Sequence, residues 1–243
     1  VCDFSMEGVE PDTLEVAADG TFSKEYTLSQ AKEVFLKIGK GEETRFYMAY
    51  FVPGKSLRVD FVAEGENVIP NYDGDTGKET TYLNLHREIV TLSPVFSTQA
   101  WQALPDFKAC VRYVDEKLVP IKEALDKVND KAFVEKEKKS WENRLASHYF
   151  SYANAKQKAG ADMEKDVDFM KYVKGINFND TLQESALMYY LDWYVVAHLD
   201  LAQKEMPVNA VKLRYLKTFV SNQDMRNKVA RTLLTAHLFM QML

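Results

Sequence analysis

Eight of the ten glycines in this 243-residue chain lie in residues 1–78, and only Gly160 and Gly175 follow. Glycine gathers where tight turns join short strands, and a helix interior disfavours it by about 1 kcal/mol relative to alanine. The chain therefore changes character near residue 78. Before that point apolar and polar residues alternate, with β-branched and aromatic runs between turn signals. Strands are expected at Asp3–Glu7, Thr13–Ala17, Thr21–Thr27, Glu33–Ile38, Thr44–Phe51 and Ser56–Val62, with another at Asn67–Pro70. Asp19-Gly20, Gly39-Lys40-Gly41 and Pro53-Gly54 stand where hairpin turns belong.

From about Glu79 the period becomes helical. Phe107, Val111, Val114, Leu118, Ile121, Leu125 and Val128 follow one another by fours and threes along one helix face. Pro120 interrupts that run and predicts a kink or a break. A second long helix is expected over 132–158, with Phe133, Val134, Trp141, Leu145, Tyr149 and Tyr152 inward and Glu135 to Lys139 on a solvated face. Residues 181–203 are apolar nearly all round, the mark of a central helix, with Thr181 to Glu184 as its capping box. Further helices are expected over 207–220 and 224–243. The apolar register from Arg231 to Leu243 meets no closing glycine, asparagine or basic cluster, so the helical part reads as truncated. The expected fold class is α+β: a small antiparallel β-sandwich or meander over 1–75, then an all-helical bundle domain over 79–243.

An apolar fraction of 46% with 28% charged residues supports a packed core. No run approaches the roughly 18–20 apolar residues needed to cross a bilayer. Residues 1–75 hold 7 Lys/Arg against 15 Asp/Glu, and the remainder holds 24 against 21. An acidic first part and a second part without a basic stripe argue against nucleic acid as a partner. Cys2 and Cys110 stand too far apart for a C-x-x-C pair; Cys110 falls on an apolar helix face and reads as a buried free thiol. Cys2, so near the start, admits lipidation, although Val1 stands where a small residue is wanted.

The chemistry of common sites is mostly missing from the text. His86, His148, His198 and His237 include no pair at i,i+4, and no Cys/His cluster occurs. His198 and His237 lie in apolar helices and read as core or interface histidines. Asn71, Asp73 and Asp75 alternate as calcium ligands do, but Thr76 stands where such a loop needs glycine and Tyr82 where it needs glutamate. An acidic interdomain turn is the simpler reading. Gly77-Lys78 and Gly39-Lys40-Gly41 complete no phosphate-binding or dinucleotide pattern. Asn179-Asp180-Thr181 matches a glycosylation acceptor, which the capping box already explains. The 14 Phe, 13 Tyr and 3 Trp leave room for exposed rings that stack on sugars or peptides.

Three stretches carry a resemblance. Val16-Ala-Ala-Asp19-Gly20-Thr-Phe22, then Val34-Phe-Leu-Lys-Ile38, then Phe51-Val-Pro-Gly54-Lys-Ser-Leu57-Arg-Val-Asp-Phe61 resemble the small β-domain of unknown function that opens many exported thiol-disulfide oxidoreductases of Bacteroidetes. Phe169-Met-Lys-Tyr-Val-Lys-Gly-Ile-Asn-Phe-Asn179 is similar to the helical region that follows it there, ahead of a TlpA/AhpC-type thioredoxin-like domain bearing Trp-Cys-x-x-Cys. The segment before Asp19 is shorter than in that family, and the redox cysteine pair is absent, so no catalytic, cofactor-binding or metal-binding residue carries over and no cofactor is expected. The resemblance implies a non-catalytic N-terminal region of a periplasmic or envelope thiol-disulfide oxidoreductase. Its expected role is tethering, dimerisation or substrate presentation, with the downstream thioredoxin-like domain, protein substrates or a second copy as partners. The alternatives are a stand-alone glycan- or peptide-binding module of the bacterial envelope, and an enzyme whose acid/base pair lies in the helical part.

Overall fold

The computed structural model describes residues 2–3, 13–38, 44–64, 67–92, 103–180, 183–198 and 207–241. The fold class is α+β, strands first and helices after. Two compact units form, Val1–Ser93 with Leu118–Val134, and Pro94–Lys117 with Glu135–Leu243. The expected division between 75 and 79 therefore falls inside the first unit. What changes at that point is the secondary structure, and the first helix stays with the strands.

In the first unit β1 (Cys2–Asp3), β2 (Lys32–Ile38) and β3 (Arg45–Phe51) make an antiparallel sheet in that order. β4 (Arg58–Glu64) and β5 (Asn67–Asp73) make a separate antiparallel pair. Alternation places Val34 and Leu36 inward on β2, and they pack with Ala49 of β3 against Tyr47, Phe51, Leu57 and Val59. Burying each such aliphatic side chain stabilises the fold by about 1.5–3 kcal/mol. Pro53-Gly54 forms the expected turn: Lys55 N–H donates to the Val52 carbonyl at 3.1 Å, and Gly54 has φ +70°, which a type II turn demands at that position.

Two expected strands are absent. Thr13–Ala17 and Thr21–Thr27 have no ladder partner among the described residues; Val16 is 64% exposed. The Asp19-Gly20 turn does close, through Ala17 N–H to Thr21 O at 2.8 Å and the Asp19 carboxylate on Thr21. A turn signal and β-branched residues thus sufficed for the reversal but not for a sheet. Asp3–Glu7 falls mostly outside the described residues.

Helix α1 (Gly77–His86) continues as a π-helical stretch, Arg87–Leu92, and lies along the outer edge of β3. Asn84 accepts from Met48 N–H at 2.8 Å and donates to the Met48 carbonyl at 2.8 Å. Thr80 Oγ1 accepts from Tyr50 N–H at 3.1 Å, and Arg87 donates to the Phe46 carbonyl. Residues 80, 84 and 87 stand one turn apart on one face, so their side chains meet alternate residues of the strand. An open edge invites another strand, and here a helix fills it with side chains. The Ca²⁺-like acidic stretch has a similar structural use: Asp75 accepts from both Ser56 N–H and Ser56 Oγ–H at 2.9 Å. It joins β5 to α1 within one unit and is not an interdomain turn.

Helices α2 (Phe107–Asp126) and α3 (Lys131–Lys158) contribute to both units, their facing ends belonging to the first. There Phe133, 2% exposed, meets Tyr50 edge-on at 4.9 Å and Tyr82 at 5.7 Å. Of the kink or break expected at Pro120, the break does not occur: α2 runs through it. Pro120 and Glu116 are both exposed, so water can serve the Glu116 carbonyl that proline leaves unpaired. On α3 the expected solvated face is interrupted by Glu137, which is buried, while Trp141 and Leu145 are only half-buried.

The second unit adds α4 (Val167–Gly175), α5 (Glu184–His198), α6 (Val208–Phe219) and α7 (Gln223–Gln241). Phe107 sits among the rings of Tyr149, Phe169 and Tyr172 at 5.1, 5.2 and 5.7 Å, with Trp193 beyond at 5.0 Å from Phe169. Asp166 caps two helices at once, accepting from Phe107 N–H of α2 and Phe169 N–H of α4. The proposed cap residues 181–182 lie outside the described residues. α5 is more exposed than its all-round apolarity suggests, since Tyr189 and Val196 face solvent. No helix among the described residues is long and apolar enough to cross a membrane.

Candidate functional site

Thiol chemistry depends on thiolate, and Cys110 is built against it. The side chain is 1% exposed inside α2, and burial pushes its pKa up to about 12 although Lys156 pulls the other way. It is a free cysteine in the core, as its apolar helix face indicated. The side chain of Cys2 lies outside the described residues.

The histidines divide by environment. Burial, aided by Arg144, lowers the His148 pKa to about 4, so this ring is neutral through the physiological range. His86 is buried in the first unit against Tyr82. The side chain of His237 lies outside the described residues. His198 reaches a carboxylate, with Nε2 3.1 Å from Glu164 Oε1 and Nδ1 2.9 Å from the Tyr194 carbonyl. It is half-buried, neither a core histidine nor an isolated ligand. No grouping of three or more His, Cys, Asp or Glu suited to a metal ion occurs among the described residues.

Around His198 the second unit carries a belt of aromatic rings. Tyr194 stacks on the imidazole at 3.9 Å and meets Phe219 at 4.8 Å and Tyr215 at 5.1 Å. Tyr190 joins Phe219 at 4.9 Å to Phe178 at 4.7 Å. Tyr190 is buried, whereas Phe178, Tyr194, Tyr215 and Phe219 are half-buried and come from three successive segments: the turn after α4, α5 and α6. Burial holds the Tyr190 and Tyr194 hydroxyls above their ordinary pKa, so both are neutral. Half-exposed rings beside a hydrogen-bonding imidazole and carboxylate can stack on a flat or apolar ligand face and bond its polar rim.

A concavity of about 410 Å³ lies between α5 and α7 and is lined by Glu184, Asp224, Asn227, Lys228, Arg231 and Thr232. Its chemistry is largely self-satisfied. Glu184 accepts from Lys228 at 2.8 Å and Thr232 at 2.8 Å; burial alone would raise its pKa, yet those partners hold it below the usual carboxylate range. Asn179 of the glycosylation-like triplet is likewise occupied, its Oδ1 accepting from Ser221 N–H, Ser221 Oγ–H and Asn222 N–H at 2.8–3.0 Å.

The sequence offered His198 without its partner. Glu164 lies 34 residues earlier in a short turn, and no local spacing links the two. The belt was visible only as an aromatic excess, because helical spacing alone does not divide rings between core and surface. Comparison with protein-family models, curated proteins and solved structures found no significant match to this chain.

Proposed function

We propose that this chain is the non-catalytic N-terminal region of an envelope thiol-disulfide oxidoreductase, with a thioredoxin-like domain as its partner and substrate presentation as its task. The observation that carries the reading is Cys110: a thiol 1% exposed with its pKa pushed up to about 12 cannot attack a disulfide at neutral pH. The redox step then belongs to a partner domain, and this chain contributes binding. The experiment is insulin reduction with dithiothreitol. The isolated chain should give no turnover above background, and the chain joined to the thioredoxin-like domain of its own gene should give turnover. Activity of the isolated chain that Cys110→Ser abolishes would overturn the reading, as would a gene encoding no such domain.

The aromatic belt favours a second reading, a binding module for a glycan or peptide. Envelope glycans titrated into the chain should quench tyrosine fluorescence if it holds, and Tyr215→Ala should remove the effect. Saturable binding together with a gene that lacks a redox domain would make this reading the better one.

A further inference from the structure

The contacts of His198 count its protons. A carbonyl oxygen has no hydrogen to give, so the 2.9 Å contact to the Tyr194 carbonyl is a hydrogen bond only if Nδ1 carries the proton. A neutral imidazole has a single N–H, and its Nε2 would then turn a lone pair toward the Glu164 carboxylate 3.1 Å away. The imidazolium satisfies both contacts together. The Tyr194 ring stacked on the imidazole at 3.9 Å also favours a cation over its face.

We propose that His198 and Glu164 form a proton-operated latch, in which protonated His198 ties the turn Met163–Lys165 to the C-terminal end of α5 and deprotonation releases it. The latch goes beyond the proposed function and does not depend on it. Its acidic partner is Glu164, on a single-turn 3-10 segment. The other charged groups of that turn, Lys165 and Asp162, pair with each other at 2.9 Å. Tyr194 lies under the ring, Tyr190 is the second phenol near Glu164, and Tyr215 of α6 faces Tyr194. The hydroxyls of Tyr190 and Tyr194 are neutral, as argued above, so among these groups the imidazole is the one whose two contacts depend on its proton. The side chains of His198 and Glu164 remain 30% and 50% exposed, so salt should weaken the latch and its effect should be several-fold, not orders of magnitude.

Amide hydrogen exchange on the whole chain tests this, expressed as protection relative to the unstructured rate at each pH. Protection of residues 163–166 and 195–198 should fall roughly threefold between about pH 5.5 and about pH 8, while α2 stays unchanged. His198→Gln and Glu164→Gln should each remove that pH dependence. Glu164 sits half-exposed on a turn, so its variant leaves the fold intact. His148, pushed down to about 4, is neutral at both conditions and cannot imitate the response. In parallel, ¹⁵N shifts of the His198 ring should report two protonated nitrogens at the lower pH. Equal protection at both pH values, a fall that persists in either variant, or a singly protonated ring at the lower pH would each overturn the latch.

Discussion

Replacing Asn84 by alanine tests whether a helix side chain truly stands in for a strand. In the native chain Asn84 Oδ1 accepts from Met48 N–H and Nδ2 donates to the Met48 carbonyl, each at 2.8 Å. Asn84→Ala leaves both backbone groups without a protein partner. A net hydrogen bond contributes about 1 kcal/mol, and a buried group left unsatisfied costs about 1–3 kcal/mol. Met48 and Asn84 are half-buried, so water can recover part of this. The expected loss is about 2 kcal/mol for the first unit, roughly 30-fold in exchange of the Met48 amide. Asn84→Asp sharpens the test. The carboxylate still accepts from Met48 N–H, but its second oxygen then opposes the Met48 carbonyl. It should destabilise at least as much as alanine at neutral pH, and recover as a donor only below about pH 4. Exchange at Met48 should be followed together with denaturant unfolding, since two units need not melt as one transition. An alanine variant within about 0.5 kcal/mol of wild type, with Met48 exchange unchanged, would refute the edge-cap argument.

Three further outcomes follow from the packing. Phe133→Ala removes a 2% exposed ring from between Tyr50 and Tyr82 and should cost about 3–5 kcal/mol; for the same reason a fragment of residues 1–75 should show no cooperative unfolding by circular dichroism. Asn179→Ala should cost about 1–3 kcal/mol by freeing Ser221 and Asn222, while Asn179→Asp, still an acceptor, should retain most of the stability in urea titrations. Cys110 should resist thiol reagents until the protein unfolds. Its folded pKa is raised from 9.0 to about 12, so its stabilising effect is complete below about pH 9 and disappears as pH rises toward 12; Cys110→Ala should blunt that part of the alkaline loss in denaturant unfolding.

The sequence was most legible in the paired strands. β2 and β3 fell within one residue of their expected bounds, β2 through the alternation that buries Val34 and Leu36, whereas on β3 the neighbours Ala49 and Tyr50 are both buried. It misled where burial depends on tertiary surroundings. On α3 the expected stripe is only half-buried at Trp141 and Leu145, while Glu137 is buried in the middle of a charged run. Thr13–Ala17 and Thr21–Thr27 had the composition of strands but no ladder partner among the described residues, and strand formation is decided by the neighbour. The site followed the same logic. Cys110 could be read from its own helix, whereas the Glu164–His198 pair depends on a tertiary contact that no spacing encodes.

Glycine placement located the change from strands to helices, and that change falls inside the first compact unit. A β-segment with an open edge and a thin core needs something to cover both, and two adjoining stretches of chain do so. α1 supplies Thr80, Asn84 and Arg87 to the edge of β3. Phe133 supplies the ring that closes the core beside Tyr50 and Tyr82. The second contribution arrives 83 positions after its partner Tyr50, so the strands cannot complete their unit until residues 118–134 are in place. Long-range closure of this kind slows folding, because loop entropy is lost before the contact is gained. Within the first unit the strands, α1 and residues 118–134 are therefore one problem in folding as well as in packing.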